Sequence, residues 1–197
     1  MPMVTRRRFI ALGAALVPLP ALAQARWGEV REIAGDVRLN GIPMTRQSAI
    51  RPGQTVSTGR DGRVWFTVAD DAFFLRPGTR LRLETDGLRE GVVNLLRLIT
   101  GGLGAAFRPG ERRDVVAHGV TIGIRGTGIY LESAPGEVYA CTCFGTTELN
   151  GTTVSARNHA ARLLRDGDLV EAALERHTSE EMVRLEALAG RPDPFTR

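Results

Sequence analysis

The residues best suited to soft-ligand or redox chemistry are Cys141 and Cys143, the only two cysteines among 197 residues, in the run "YACTCFG" at 139–145. Two thiolates on one face of a strand can bracket a zinc or copper ion, or cycle between thiol and disulfide. A closed metal site needs further ligands. The three histidines, His118, His159 and His177, are dispersed in the chain without metal-ligand spacing. Pairing arithmetic decides which of them can join the sulfurs. If Asn150-Gly151 is a two-residue hairpin turn, Leu149 pairs with Thr152, Cys143 falls opposite Asn158 and Cys141 opposite Ala160. One face then carries Cys141, Cys143, Gly145, Thr147 and Leu149, the more apolar set, so both sulfurs point into the core and His159 points away from them. A bulge at Gly145 would reverse that relation and restore a Cys141, Cys143, His159 set. β-carbons two apart on an extended strand are wider than the roughly 4 Å a disulfide needs, so a local bridge requires a bent backbone. The pair is therefore expected to be buried thiols or a local disulfide. Metal binding or thiol redox at Cys141 and Cys143 is the alternative, with zinc or copper as the ion; otherwise no cofactor is expected.

Other chemistry is poorly supported. "GIRGTG" at 123–128 has three glycines, but a phosphate cradle needs a helix N-terminus after the loop, and "IYLE" continues as a strand. Gly123, Gly126 and Gly128 suit a bulge or a close backbone approach. Arg125 would then be structural, with its donors on carbonyls or a carboxylate, and Thr127 completes the same motif. No serine sits in a G-x-S-x-G elbow. Asp70-Asp71 and Glu180-Glu181 fall at turn and helix-start signals, where solvated structural roles are expected. No catalytic residue is assigned, and the chain is expected not to be an enzyme.

The elements that must position these residues are mostly strands. Asn40-Gly41, Asp61-Gly62, Asn150-Gly151 and Asp166-Gly167 stand between apolar or alternating runs as hairpin signals. "RVWFTV", "AFFLRPG", "TRLRLE", "VVNLLRLI", "VTIGIRG" and "GIYLE" are short, rich in Val, Ile, Leu and Phe, and punctuated by Gly and Pro. They predict an all-β sandwich or rolled sheet of many short antiparallel strands and hairpins. Near the end, Thr178 and Glu181 form a capping box, Met182, Leu185 and Leu188 share a helical face, and Gly190 stops the run. One amphipathic helix over about 179–189 should dock that face on the β-domain.

Residues 1–23 read as an export signal: three arginines at 6–8, an apolar stretch from Phe9, and Ala21-Leu22-Ala23 as an A-x-A end. Thr5-Arg6-Arg7-Arg8-Phe9-Ile10 resembles the twin-arginine motif. The full chain carries a net charge of +4, and residues 1–23 hold three arginines and no acid, which leaves +1 for the remainder. That balance, with no basic stripe among aromatics, argues against nucleic-acid binding. The expected organisation is 1–23 signal peptide, 24–175 β-domain and 176–197 C-terminal helix and tail, in a periplasmic or secreted protein with no transmembrane helix in its mature part.

Gly35-Asp36-Val37-Arg38-Leu39, Arg51 to Gly59 ("RPGQTVSTG"), Leu75-Arg76-Pro77-Gly78-Thr79 and Gly123-Ile124-Arg125-Gly126-Thr127 together resemble the FecR domain family, the periplasmic module of ferric-citrate-type regulators. The resemblance covers roughly Trp27 to Leu149. "CTCFG" and "LEALAGRPDPF" look like an exported sub-group of FecR-domain proteins. Regulators of that type place a cytoplasmic helical segment and a transmembrane helix before the domain, where this chain has the predicted signal peptide. Asp70-Asp71-Ala72 also departs from the Asp-Gly that the family often has in its middle hairpin. The resemblance implies a non-catalytic binding or sensory module that recognises a protein partner or envelope component, and it supplies no catalytic residue.

Overall fold

The structure, a computed structural model, describes residues 27–85 and 93–196; the side chain of Thr127 is also outside the description. The expected signal peptide, residues 1–23, lies outside the described residues. Among the described residues, fifteen strands form one hydrogen-bonded sheet. They are β1 (Gly28–Ala34), β2 (Val37–Leu39), β3 (Ile42–Pro43), β4 (Ala49–Ile50), β5 (Thr55–Thr58), β6 (Arg63–Val68), β7 (Asp71–Leu75) and β8 (Arg80–Glu84). After these come β9 (Leu95–Ala106), β10 (Arg112–Ala117), β11 (Val120–Ala134), β12 (Glu137–Leu149), β13 (Thr152–Ala156), β14 (Ala160–Arg165) and β15 (Asp168–Glu171). One helix, α1 (Ser179–Leu188), follows. Ile50 of β4 and Leu164 of β14 come from opposite ends of the strand order yet belong to one apolar core, so the sheet is rolled rather than flat.

Three hairpins follow the turn chemistry. Asn40-Gly41 joins Leu39 to Ile42, Asn150-Gly151 joins Leu149 to Thr152, and Asp166-Gly167 joins Arg165 to Asp168, all six turn residues at positive φ. Asp61-Gly62 is different: its flanking strands β5 and β6 do not pair with each other. A β-carbon on Gly62 would lie 2.1 Å from the Asp36 carbonyl, so this glycine permits a close approach instead of a hairpin. Around it three of the four segments quoted for the FecR resemblance meet. Gly59 N–H donates to Asp36 O (2.7 Å), Gly78 N–H to Gly59 O (3.0 Å), and Thr58 Oγ1 to Arg76 O (2.6 Å).

The sheet is not built only of short antiparallel strands. Strands β9, β11 and β12 run 12, 15 and 13 residues, and each changes partners along its length. The first half of β9 pairs with β8 and, in parallel, with β10; its second half pairs with β7 and β11. The run "VVNLLRLI" enters β9 at Leu95, as a strand.

The two faces of the central strands are both buried. One faces the main core, with Phe66, Phe73, Leu103, Ile124 and Leu131 fully or almost fully buried. The other carries Trp65, Phe74, Tyr130, Tyr139, Cys141 and Cys143, and α1 covers it with Met182 and Leu185. Burying those two side chains contributes about 1.5–3 kcal/mol each. The capping box is formed: Glu181 N–H donates to Thr178 Oγ1, and Thr178 N–H donates to the Glu181 carboxylate. Among the described residues no helix is long and apolar enough to cross a membrane.

Candidate metal centre

The hairpin register holds as predicted from Leu149 opposite Thr152 to Gly145 opposite Ala156. Beyond that point it slips. Thr142 pairs with Ala160 and Cys141 with Ala161, so one extra residue sits on the strand returning from the turn. Gly145 has φ +88 and His159 φ +50, the left-handed conformations that accommodate the slip, and His159 N–H donates to Cys143 O at 2.9 Å. Two expectations are corrected by this geometry. His159 does not face away from the sulfurs: its Nδ1 lies 3.6 Å from Cys141 Sγ. The face assignment along β12 is also broken. Thr142 Oγ1 and Thr147 Oγ1 are in contact at 2.5 Å, and residues five apart share a face only where the strand contains an irregularity. Cys141 and Cys143 therefore lie in the cluster beneath α1, whereas Leu149 lies in the main core.

A fourth donor comes from far along the chain. His177, one residue before the helix cap, places Nε2 3.2 Å from Cys143 Sγ and 3.2 Å from His159 Nδ1. Cys141, Cys143, His159 and His177 each offer one ligand atom, and all four atoms lie within 4.8 Å of one another. With Zn–S of about 2.3 Å and Zn–N of about 2.0–2.1 Å, a tetrahedral ion needs N···N edges of about 3.3 Å and S···N edges of about 3.5 Å. The observed edges of 3.2, 3.2 and 3.6 Å are close to those values. A single proton on His177 Nε2 can serve only one of its two neighbours, whereas one cation would satisfy all of these atoms together.

The surroundings hold the donors in place. The His177 ring stacks on Tyr130, with centroids 4.6 Å apart and planes 9° apart. The His159 ring stacks on Phe195 at 5.1 Å, and its Nε2 is 3.0 Å from Ser179 Oγ, an outer contact that orients a ligating imidazole. Nδ1 of His177 is a buried nitrogen without a hydrogen-bond partner among the described residues. Both thiols are free and buried. The hydrogen bond from Cys143, aided by His177 and His159, pushes the Cys141 thiol well below its ordinary range against the opposing effect of burial. Burial first, and then the neighbouring Cys141, pushes the Cys143 thiol well above its ordinary range. A groove of about 510 Å³ passes beside the cluster, lined by Phe144, Gly145, Arg157, Arg191 and Pro194 among others.

The remaining residues singled out in the sequence lie elsewhere. His118 accepts from Gly136 N–H at 3.1 Å in a neighbouring hairpin. Strand β11 runs through "GIRGTG" with a register shift between Arg125 and Gly128, and no helix begins there. A β-carbon on Gly126 would meet Pro109 at 2.7 Å, and one on Gly128 would meet the Phe144 ring at 2.2 Å. Arg125 is exposed, lines a cleft of about 260 Å³ with Arg112, Thr146 and Glu148, and its guanidinium bonds no other described residue. Sequence spacing had no way to nominate His177. The available signal was its place at the mouth of a helix whose apolar face must dock on the domain.

No protein-family model and no curated protein sequence matches the chain. Two crystal structures of a candidate anti-sigma factor from Parabacteroides distasonis ATCC 8503 are similar to it in fold, each with a TM-score of 0.50 at 12% identity. Each match covers 60% of this chain and 58% of the other. The chain thus spans somewhat over half the length of those structures, and at that identity the likeness is one of fold alone.

Proposed function

We propose that this chain is a non-catalytic, FecR-like sensory module of the periplasm whose input is a zinc or copper(I) ion held by Cys141, Cys143, His159 and His177, and whose output is recognition of a protein partner in the envelope. The observation that carries the reading is the convergence of two sulfurs and two imidazole nitrogens within 4.8 Å in a buried site. Two sulfurs and two nitrogens suit zinc, and the thiolates also suit copper(I). All four positions of a tetrahedral ion would be filled by the protein. A catalytic ion keeps a position for water or substrate, so this arrangement favours structural or sensory use. The fold likeness to a candidate anti-sigma factor supports a regulatory role rather than an enzymatic one.

A second reading has its own observation. A Cys141 thiolate beside a protonated Cys143 is poised for reversible oxidation, in which the two thiols lose two hydrogens to an external disulfide or quinone oxidant and form one S–S bond. Native intact mass of the mature protein, purified from its periplasm without reductant, separates the two. The metal reading expects the apo mass plus one ion, lost in Cys141→Ser and Cys143→Ser variants. A metal-free species two hydrogens lighter would favour redox. A metal-free dithiol that takes up neither zinc nor copper(I) would leave the pair structural.

A further inference from the structure

The cluster is incomplete without the C-terminal segment. His177 supplies one of its four donors, Ser179 holds the outer nitrogen of His159, and Phe195 covers the His159 ring. Those three residues come from 19 consecutive positions spanning α1 and its tail. The other three ligands come from β12 and from the β13–β14 connection. The segment is otherwise held by Met182 and Leu185, buried in the aromatic cluster, and by polar contacts at its margins. Arg76 donates to Glu181 at 2.7 Å and to Arg176 O at 3.2 Å, Arg184 pairs with Glu32 above Trp65, and Arg191 donates to Asp70 O at 2.7 Å. Of these, the half-exposed Arg184–Glu32 pair holds the segment weakly. Beneath it lies a face of Trp65, Phe74, Tyr130 and Tyr139 that only docking keeps from water.

We infer that residues 176–196 form a metal-dependent latch, an inference that rests on the four-ligand reading above: the bound ion ties His177 to Cys141, Cys143 and His159 and holds α1 on the aromatic face, and its loss lets the segment lift. An ion bound more tightly by the docked form than by the undocked one must stabilise docking by that ratio. Linkage then runs in both directions, so loosening the helix at a distance from the site weakens metal binding by the same factor.

Hydrogen–deuterium exchange of the full mature chain tests this, with one equivalent of zinc or with chelator, and with intact mass recording occupancy of each sample. Zinc should slow exchange across Ser179–Leu188 by tenfold or more, up to the roughly hundredfold given by a ligand at 100 times its Kd if the undocked form binds none. In His177→Ala the other three ligands remain, and zinc should give no protection of the helix. Arg184→Ala, which touches none of the ligands, should exchange faster and bind zinc more weakly by a matching factor. Zinc present by mass with unchanged helix exchange overturns the latch and leaves the metal site standing. Absence of bound zinc and copper(I) from the wild-type chain overturns both.

Discussion

Two buried polar clusters in this domain are built on opposite principles. At the start of β7, Asp71 pairs with Arg113 of β10 at 3.0 Å, the two side chains only 5% and 7% exposed. Arg113 also reaches Glu111 at 2.8 Å, and Asp71 accepts from Arg108 N–H at 2.8 Å. Burial pushes the Asp71 carboxyl up, and Arg113 works against it. Every strong donor and acceptor there finds its complement within the chain. The Cys/His cluster is the reverse: two sulfurs and two imidazole nitrogens are turned toward one another, with no arginine or carboxylate among the four donors. A cluster whose charges the chain itself neutralises is architecture. A convergent set of sulfur and nitrogen donors is what a metal ion would use, which is the reading proposed above.

The sharpest way to break this contrast is to remove a ligand. Cys143→Ser or His177→Ala should reduce zinc affinity by more than the roughly hundredfold that loss of an outer-shell partner can cost, measured by competition with a chromophoric chelator. Unaltered affinity would mean that the ion, if any, sits elsewhere. Asp71→Asn should act on the other side of the comparison. It leaves Arg113 with Glu111 as its remaining carboxylate and should cost about 1–3 kcal/mol in urea unfolding, while zinc binding to the folded fraction stays unchanged. Ser179→Ala removes only the contact that orients His159 and should cost about 10–100-fold in zinc affinity with little change in metal-free stability.

The smallest expected effect is one of pH. In the metal-free protein the neighbouring donors push the Cys141 thiol toward its thiolate, whereas burial pushes Cys143 toward its thiol. Zinc requires both as thiolates, so binding should release about one proton from the pair, and affinity should rise about tenfold per pH unit and fall by as much on acidification. Calorimetry in two buffers of different ionisation enthalpy counts the protons. A count near zero would mean that both are already thiolates in the metal-free state, and a count near two that neither is.

Much of the scaffold was legible from local chemistry. Asn40-Gly41, Asn150-Gly151 and Asp166-Gly167 require positive φ and form the hairpins they announce, and the Thr178/Glu181 capping box starts α1 where it should. Asp61-Gly62 spells the same signal but serves a close approach to Asp36, because the partners of its flanking strands lie elsewhere in the sheet. The site was half legible. The cysteines and their burial follow from strand patterning, and a bulge at Gly145 was the stated condition for His159 to join them. Whether that bulge forms is a tertiary matter: it depends on how β12 is gripped by β11 on one side and by β13 and β14 on the other. His177 was illegible because no spacing links it to residue 143; only the docking of α1 on the aromatic face brings it there.

The most direct test of the central claim is X-ray absorption at the zinc edge on the metal-loaded protein. Two sulfurs at about 2.3 Å and two nitrogens at about 2.0–2.1 Å would be the result expected of Cys141, Cys143, His159 and His177. A shell of nitrogen and oxygen alone, or one in which Cys141→Ser leaves the sulfur count unchanged, would contradict it.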